Sequence, residues 1–123
     1  MEFYQIVKVP ALDVKQLQNC LSISRLPDYC QSIHSVISAQ NNQGEIYCLW
    51  GQFNIRYDII KYGVRFSLLN CPHALAWSIT YNAPLNELII HCTIDKKDED
   101  IDFIESIHQF INDWKIGLSK ALL

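Results

Sequence analysis

Phe53-Asn54-Ile55-Arg56-Tyr57-Asp58-Ile59 alternates apolar and polar side chains without a break. A strict period of two sends Phe53, Ile55, Tyr57 and Ile59 to one face and Asn54, Arg56 and Asp58 to the other, the pattern of a half-buried strand. The pattern repeats downstream. Lys61-Tyr62-Gly63 turns the chain, and Val64, Phe66 and Leu68 then alternate with Arg65 and Ser67. Asn70-Cys71-Pro72-His73 makes the next break, after which Leu75, Trp77, Ile79 and Tyr81 alternate with Ala76, Ser78 and Thr80. Beyond the turn Asn82-Ala83-Pro84-Leu85-Asn86, Leu88, Ile90, Cys92 and Ile94 oppose Ile89, His91 and Thr93. Upstream, Asn41-Asn42-Gln43-Gly44 separates two further β-prone runs, the second spanning residues 45–50. Short strands joined by short turns predict an antiparallel meander from about Ile33 to Ile94.

The flanks of this sheet read differently. Phe3, Tyr4, Ile6, Val7 and Val9 favour a first strand, which ends at Pro10, a residue suited to the first turn of a helix. Val14, Leu17 and Leu21 recur at helical spacing, and Leu26-Pro27-Asp28-Tyr29 starts a second short helix. At the other end, Ile104, Ile107, Ile111, Trp114 and Leu118 step by three and four residues, with Phe103 and Phe110 widening the stripe. This predicts an amphipathic helix over residues 98–122, about 24 residues and roughly 36 Å long. Gly117 costs that helix about 1 kcal/mol against Ala, and is expected to allow close packing on the sheet. The fold class is therefore α+β. It has a curved antiparallel sheet of about six to seven strands, two short helices after the first strand, and a long C-terminal helix packed on the sheet. A chain of 123 residues bounds this to a single domain over residues 1–123.

Composition excludes several classes of function. Half of the chain is hydrophobic, which excludes intrinsic disorder. The net charge of −3 is local: residues 95–105 hold six acids against two lysines, while the rest of the chain has seven acids and eight bases. No basic stripe exists for nucleic acid. No apolar run approaches the ~20 residues that span a bilayer. No signal peptide precedes the first strand. The cysteines (Cys20, Cys30, Cys48, Cys71 and Cys92) are odd in number and form no C-x-x-C, so they read as reduced thiols of a cytoplasmic protein rather than a zinc site or disulfide framework.

No motif names a reaction, a cofactor or a metal. Cys71 and His73 are the most suggestive pair, as nucleophile and base or as two metal ligands, but Pro72 between them reads better as a turn. His91 and Cys92 are adjacent in a strand and point to opposite faces. His34 and His108 stand alone. The acids Asp95 to Glu105 lack the central glycine and distal glutamate of a calcium loop, and fit helix capping instead. Arg56, Asp58 and Arg65 share one polar sheet face, which is solubilising if open and a subunit contact if covered.

Three stretches resemble the helix-grip family, also called the START-like or SRPBCC superfamily. They are Ile6-Val7-Lys8-Val9-Pro10-Ala11-Leu12-Asp13-Val14, Arg25-Leu26-Pro27-Asp28-Tyr29 running into Ile33-His34-Ser35-Val36, and the terminal Trp114-Lys115-Ile116-Gly117-Leu118-Ser119-Lys120-Ala121-Leu122. The resemblance covers the order of elements along the whole chain. It implies a site between the sheet and the long helix for an apolar or amphipathic small molecule. Residues placed to line it are Tyr57, Phe66, Trp77, Ile79, Tyr81, Ile107, Phe110, Ile111 and Trp114, with Phe53, Ile55 and Leu68 beside them, and Tyr57 or Tyr81 orienting the ligand. The chain is short for the family, so a small cavity is expected. A cyclase- or aromatase-like enzyme, and a protein-interaction module such as a co-chaperone or toxin–antitoxin component using the sheet face, are the alternatives. A homodimer through that face belongs to the last of these.

Overall fold

The computed structural model describes residues 1–95 and 100–122. The chain begins with β1 (Glu2–Lys8), α1 (Val14–Cys20), a 3-10 turn at Ile23–Arg25 and α2 (Leu26–Tyr29). Six strands follow: β2 (Ile33–Gln40), β3 (Gln43–Cys48), β4 (Gly51–Ile60), β5 (Gly63–Leu69), β6 (Ala76–Asn82) and β7 (Glu87–Thr93). The last element is α3 (Ile101–Leu122). The sheet is antiparallel and curved, with strand order β1-β7-β6-β5-β4-β3-β2. β2 to β7 form a meander in chain order, and β1 closes on β7 with Glu2 opposite Thr93 and Lys8 opposite Glu87. The fold is α+β: one sheet with the long helix packed on it.

Local chemistry explains the joints. Asn41, Tyr62, Asn70 and Asn86 all take positive φ at the tight turns between strands, a conformation asparagine tolerates better than most side chains. Asp13 caps α1 by accepting from the Lys15 N–H at 3.0 Å. Asp100 caps α3 through the N–H of Asp102 at 3.0 Å.

Several boundaries differ from the sequence expectation. Pro10 sits in a turn with Ala11 rather than in the first turn of α1, because the cap that starts the helix is Asp13. Residues 45–50 do not run as one strand. β3 stops at Cys48, and Leu49-Trp50 is a two-residue turn into Gly51, whose φ of 111° only glycine adopts freely. Ile59 shares the side of Ile55 but is 64% exposed at the strand's end. α3 starts at Ile101, giving 22 residues and about 33 Å. Lys96, Lys97, Asp98 and Glu99 lie outside the described residues, and with them much of the acidic run. Gly117 does bring a close approach, but to α2 rather than to the sheet: a β-carbon there would meet the Tyr29 carbonyl.

The core lies between sheet and helix. Ile55, Phe66, Leu68, Trp77, Ile79, Leu88, Ile90 and Cys92 come from the strands, and Ile107, Phe110, Ile111, Trp114 and Leu118 from α3. α1, its C-cap and α2 seal the remaining side with Leu17, Leu21 and Leu26. Among the described residues no helix is long and apolar enough to cross a membrane.

Candidate functional site

The sequence-selected residues converge between sheet and helix, but as a packed block. Phe66 stacks on Trp77 at 5.3 Å between ring centroids and on Trp114 at 6.4 Å. Trp77 meets Phe110 edge-on at 4.8 Å, and Tyr57 tilts onto Phe66 at 5.4 Å. Ile79, Ile107 and Ile111 are buried around them. Such offset and edge-on aromatic contacts are worth roughly 0.5–1.5 kcal/mol each beyond the area they bury.

The two tyrosines are structural ties. The Tyr57 hydroxyl donates to the Gln18 carbonyl at 3.1 Å, fastening β4 to α1, and burial pushes its pKa up. The Tyr81 hydroxyl donates to the Val9 carbonyl at 2.5 Å and lies 3.4 Å from Asn86 Oδ1. It secures the chain where it leaves β1. Each hydroxyl spends its one proton on a backbone carbonyl, which leaves its oxygen only as an acceptor.

Two polar atoms in the block have no such tie. Trp77 Nε1 and Trp114 Nε1 are buried without a hydrogen-bond partner among the described residues. Their residues are 1% and 0% exposed, and the two rings lie 6.4 Å apart. An indole N–H only donates, so each needs an acceptor from elsewhere.

An open pocket of about 250 Å³ adjoins this block at the N-terminal end of α3, lined by Trp50, Phe53, Leu68, Cys71, His73 and Phe103, with Pro72 and Leu75 completing its wall. Trp50 is its hinge with the core. Its indole donates to Ser106 Oγ at 2.8 Å, Ser106 in turn donates to the Phe103 carbonyl at 2.5 Å, and its ring lies 4.8 Å from Phe110. Ring contacts link the pocket wall to the unpartnered donors in the order Trp50, Phe110, Trp77, Trp114. Trp50 is the residue the sequence reading missed, because β-prone neighbours hid the turn. Gly51, directly after it, was the available signal.

Cys71 and His73 do meet at this pocket, both supplied by the β5–β6 loop, and His73 stacks on Phe103 at 4.1 Å. Of the remaining thiols, Cys30, Cys48 and Cys92 are core atoms and Cys20 is half-buried against the core. Cys30 and Cys92 are pushed up to about 12 by burial, and Cys48 is raised for the same reason. All five cysteines are free. Of the other histidines, His91 lies on the outer sheet face against Glu2 and stacked on Tyr4, His34 is exposed beside Tyr47, and His108 is exposed with its ring edge-on to Phe3. The outer face also carries Arg56, which pairs with Asp58 at 3.2 Å, with Arg65 across the ladder.

No protein-family model matches the chain, and no curated protein is similar enough to match it.

Proposed function

We propose that this protein is a short, divergent helix-grip (START-like, SRPBCC) protein of the cytoplasm that binds an apolar or amphipathic small molecule between its sheet and α3. The observation that carries the reading is the pair of buried, unpartnered indole N–H groups of Trp77 and Trp114, in an aromatic block that also packs, through Phe110 and Trp50, against an apolar pocket at one end of α3. A buried donor without an acceptor costs about 1–3 kcal/mol, so a ligand bearing a carbonyl, ether or hydroxyl oxygen gains that much by supplying one. Apolar burial at ~25 cal/mol per Å² supplies the rest. The order β1-β7-β6-β5-β4-β3-β2 with two short helices after β1 and a long terminal helix supports the family reading. The tight packing of Phe66, Trp77, Phe110 and Trp114 limits the occupant to a small ring system unless Phe110 moves.

Native mass spectrometry of the purified protein tests the idea directly, by a retained small molecule. Quenching of tryptophan fluorescence by added acetophenone, an aromatic ketone, tests it without a retained ligand. Trp114→Phe keeps a ring but deletes the N–H. It should weaken the ketone severalfold more than it weakens ethylbenzene, which has no acceptor. Equal losses for the two probes would sink the proposal.

A second reading, a cyclase- or aromatase-like enzyme, is favoured by Cys71 and His73 sharing the pocket. On that reading His73→Ala abolishes turnover while leaving binding nearly intact.

A further inference from the structure

β1 is one edge of the sheet, and its pairing with β7 fixes which backbone groups are free. Met1 and Ile94 exchange both backbone bonds, at 3.0 and 3.1 Å, and the Val9 N–H donates to the Asn86 carbonyl at 2.9 Å. Hydrogen-bonded pairs alternate along an antiparallel ladder, so Phe3, Gln5 and Val7 also bond to β7. Glu2, Tyr4, Ile6 and Lys8 therefore turn their N–H and C=O groups away from the sheet. Among the described residues no turn, loop or side chain bonds those groups. The same four residues face outward, and Tyr4 and Ile6 are 55% and 44% exposed.

Exposed strand edges are normally blunted by bulges, prolines or charges. The other edge, β2, is blunted: its pairing with β3 shifts register between Ile33 and Ser35 and again between Val36 and Ser38. β1 pairs with β7 from Glu2 to Lys8 without a shift. Its outward row reads acid, aromatic, aliphatic, base. That row is complementary to its own reverse.

We propose that β1 pairs antiparallel with β1 of a second copy, forming a two-fold dimer with a sheet continuous across both chains. Centring the twofold on Gln5 sets Glu2 opposite Lys8 and Tyr4 opposite Ile6, all of them positions with outward backbone groups. Each such pair exchanges both backbone bonds, while an aromatic–aliphatic and an ionic pair form above it. Registers shifted by one step in either direction leave a charged end unmatched. An isologous contact of this kind closes on itself and stops at two chains. Glu2 and Lys8 are already drawn to His91 and Glu87, at 3.0 and 2.9 Å, and both are solvent-exposed, so sharing them costs little.

Sedimentation equilibrium of the full chain over a concentration series should give a species of twice the 14.3 kDa chain mass. Glu2→Lys alone sets lysine against lysine across the twofold, and Lys8→Glu alone sets acid against acid. Each is expected to weaken self-association roughly tenfold. Mixed together, the two variants match both ionic pairs again. With one of them isotopically labelled, native mass spectrometry should show the mixed dimer in excess of either homodimer. A wild type that stays monomeric, or a mixture with no preference for the mixed dimer, overturns the proposal. Hydrogen exchange of wild type needs no variant: amide protection at Tyr4 and Ile6 that rises with concentration supports the pairing, and concentration-independent exchange there overturns it.

Discussion

Tyr81 illustrates how a polar side chain in an apolar site can belong to the fold rather than to a ligand. Its alternation with Ile79 and Trp77 correctly places it on the inner face, and nothing in the sequence shows that its hydroxyl meets the Val9 carbonyl, a contact across 72 positions. Tyr81→Phe leaves that carbonyl buried and should cost about 1–2 kcal/mol of stability, read as a lower urea midpoint, with probe affinity unchanged. The buried thiols give a second residue-level expectation. Cys30 and Cys92 hold their protons to about pH 12 in the folded protein, against an ordinary thiol value of 9.0. Above that ordinary value the unfolded chain loses protons that the native state keeps, so stability falls as pH rises. Each thiol contributes about 1.4 kcal/mol per pH unit between the two values, and its contribution is intact below the lower one. Replacing both by Ala should flatten the alkaline decline in chemical-denaturation curves between those limits, whatever it does to stability at neutral pH.

Elements with a clean period were legible. The inner rows Ile55–Tyr57, Val64–Phe66–Leu68 and Ile79–Tyr81, and the helical row Ile107–Ile111–Trp114–Leu118, follow from spacing alone, because burial on one face imposes that period. What spacing cannot show is where an element touches something distant. Trp50 looks like one more strand residue until its indole is seen bonding Ser106 on α3. Gly117 looks like a weak point in a helix until α2 is seen against it. There the absence of a β-carbon lets the Tyr29 backbone approach, and Ser32 extends the joint by donating to the Asp113 carboxylate. Gly117→Ala gains about 1 kcal/mol in helix propensity but forces α2 off α3, at a cost of about 1–3 kcal/mol. A net loss is expected. It should appear as a lowered urea midpoint at unchanged slope, with Ser32→Ala adding less than its independent effect because both act on one joint.

For the molecule as a whole, stability and binding compete for the same space. The apolar half of the composition promised a core and left open whether that core encloses a cavity. The meander of β2 to β7 was legible, but the place of β1 was hidden, since the pairing of Glu2 with Thr93 depends on residues at opposite ends of the chain. In the folded protein the aromatic block takes up the region between sheet and helix, and Phe110 is its keystone, 4.8 Å from both Trp50 and Trp77. Removing that ring should therefore exchange one property for the other. Phe110→Ala is expected to cost about 3–5 kcal/mol, because transfer energy and packing are lost together. It should also join the pocket at Trp50 to the unpartnered Trp77 donor, producing a deeper apolar chamber. Acetophenone should then raise the melting temperature of Phe110→Ala by several degrees while shifting wild type much less, as expected when a ligand binds only the folded state. A variant that is destabilised but indifferent to the ketone would mean that the sheet and α3 collapse into the vacated space. The region between them would then serve the fold alone.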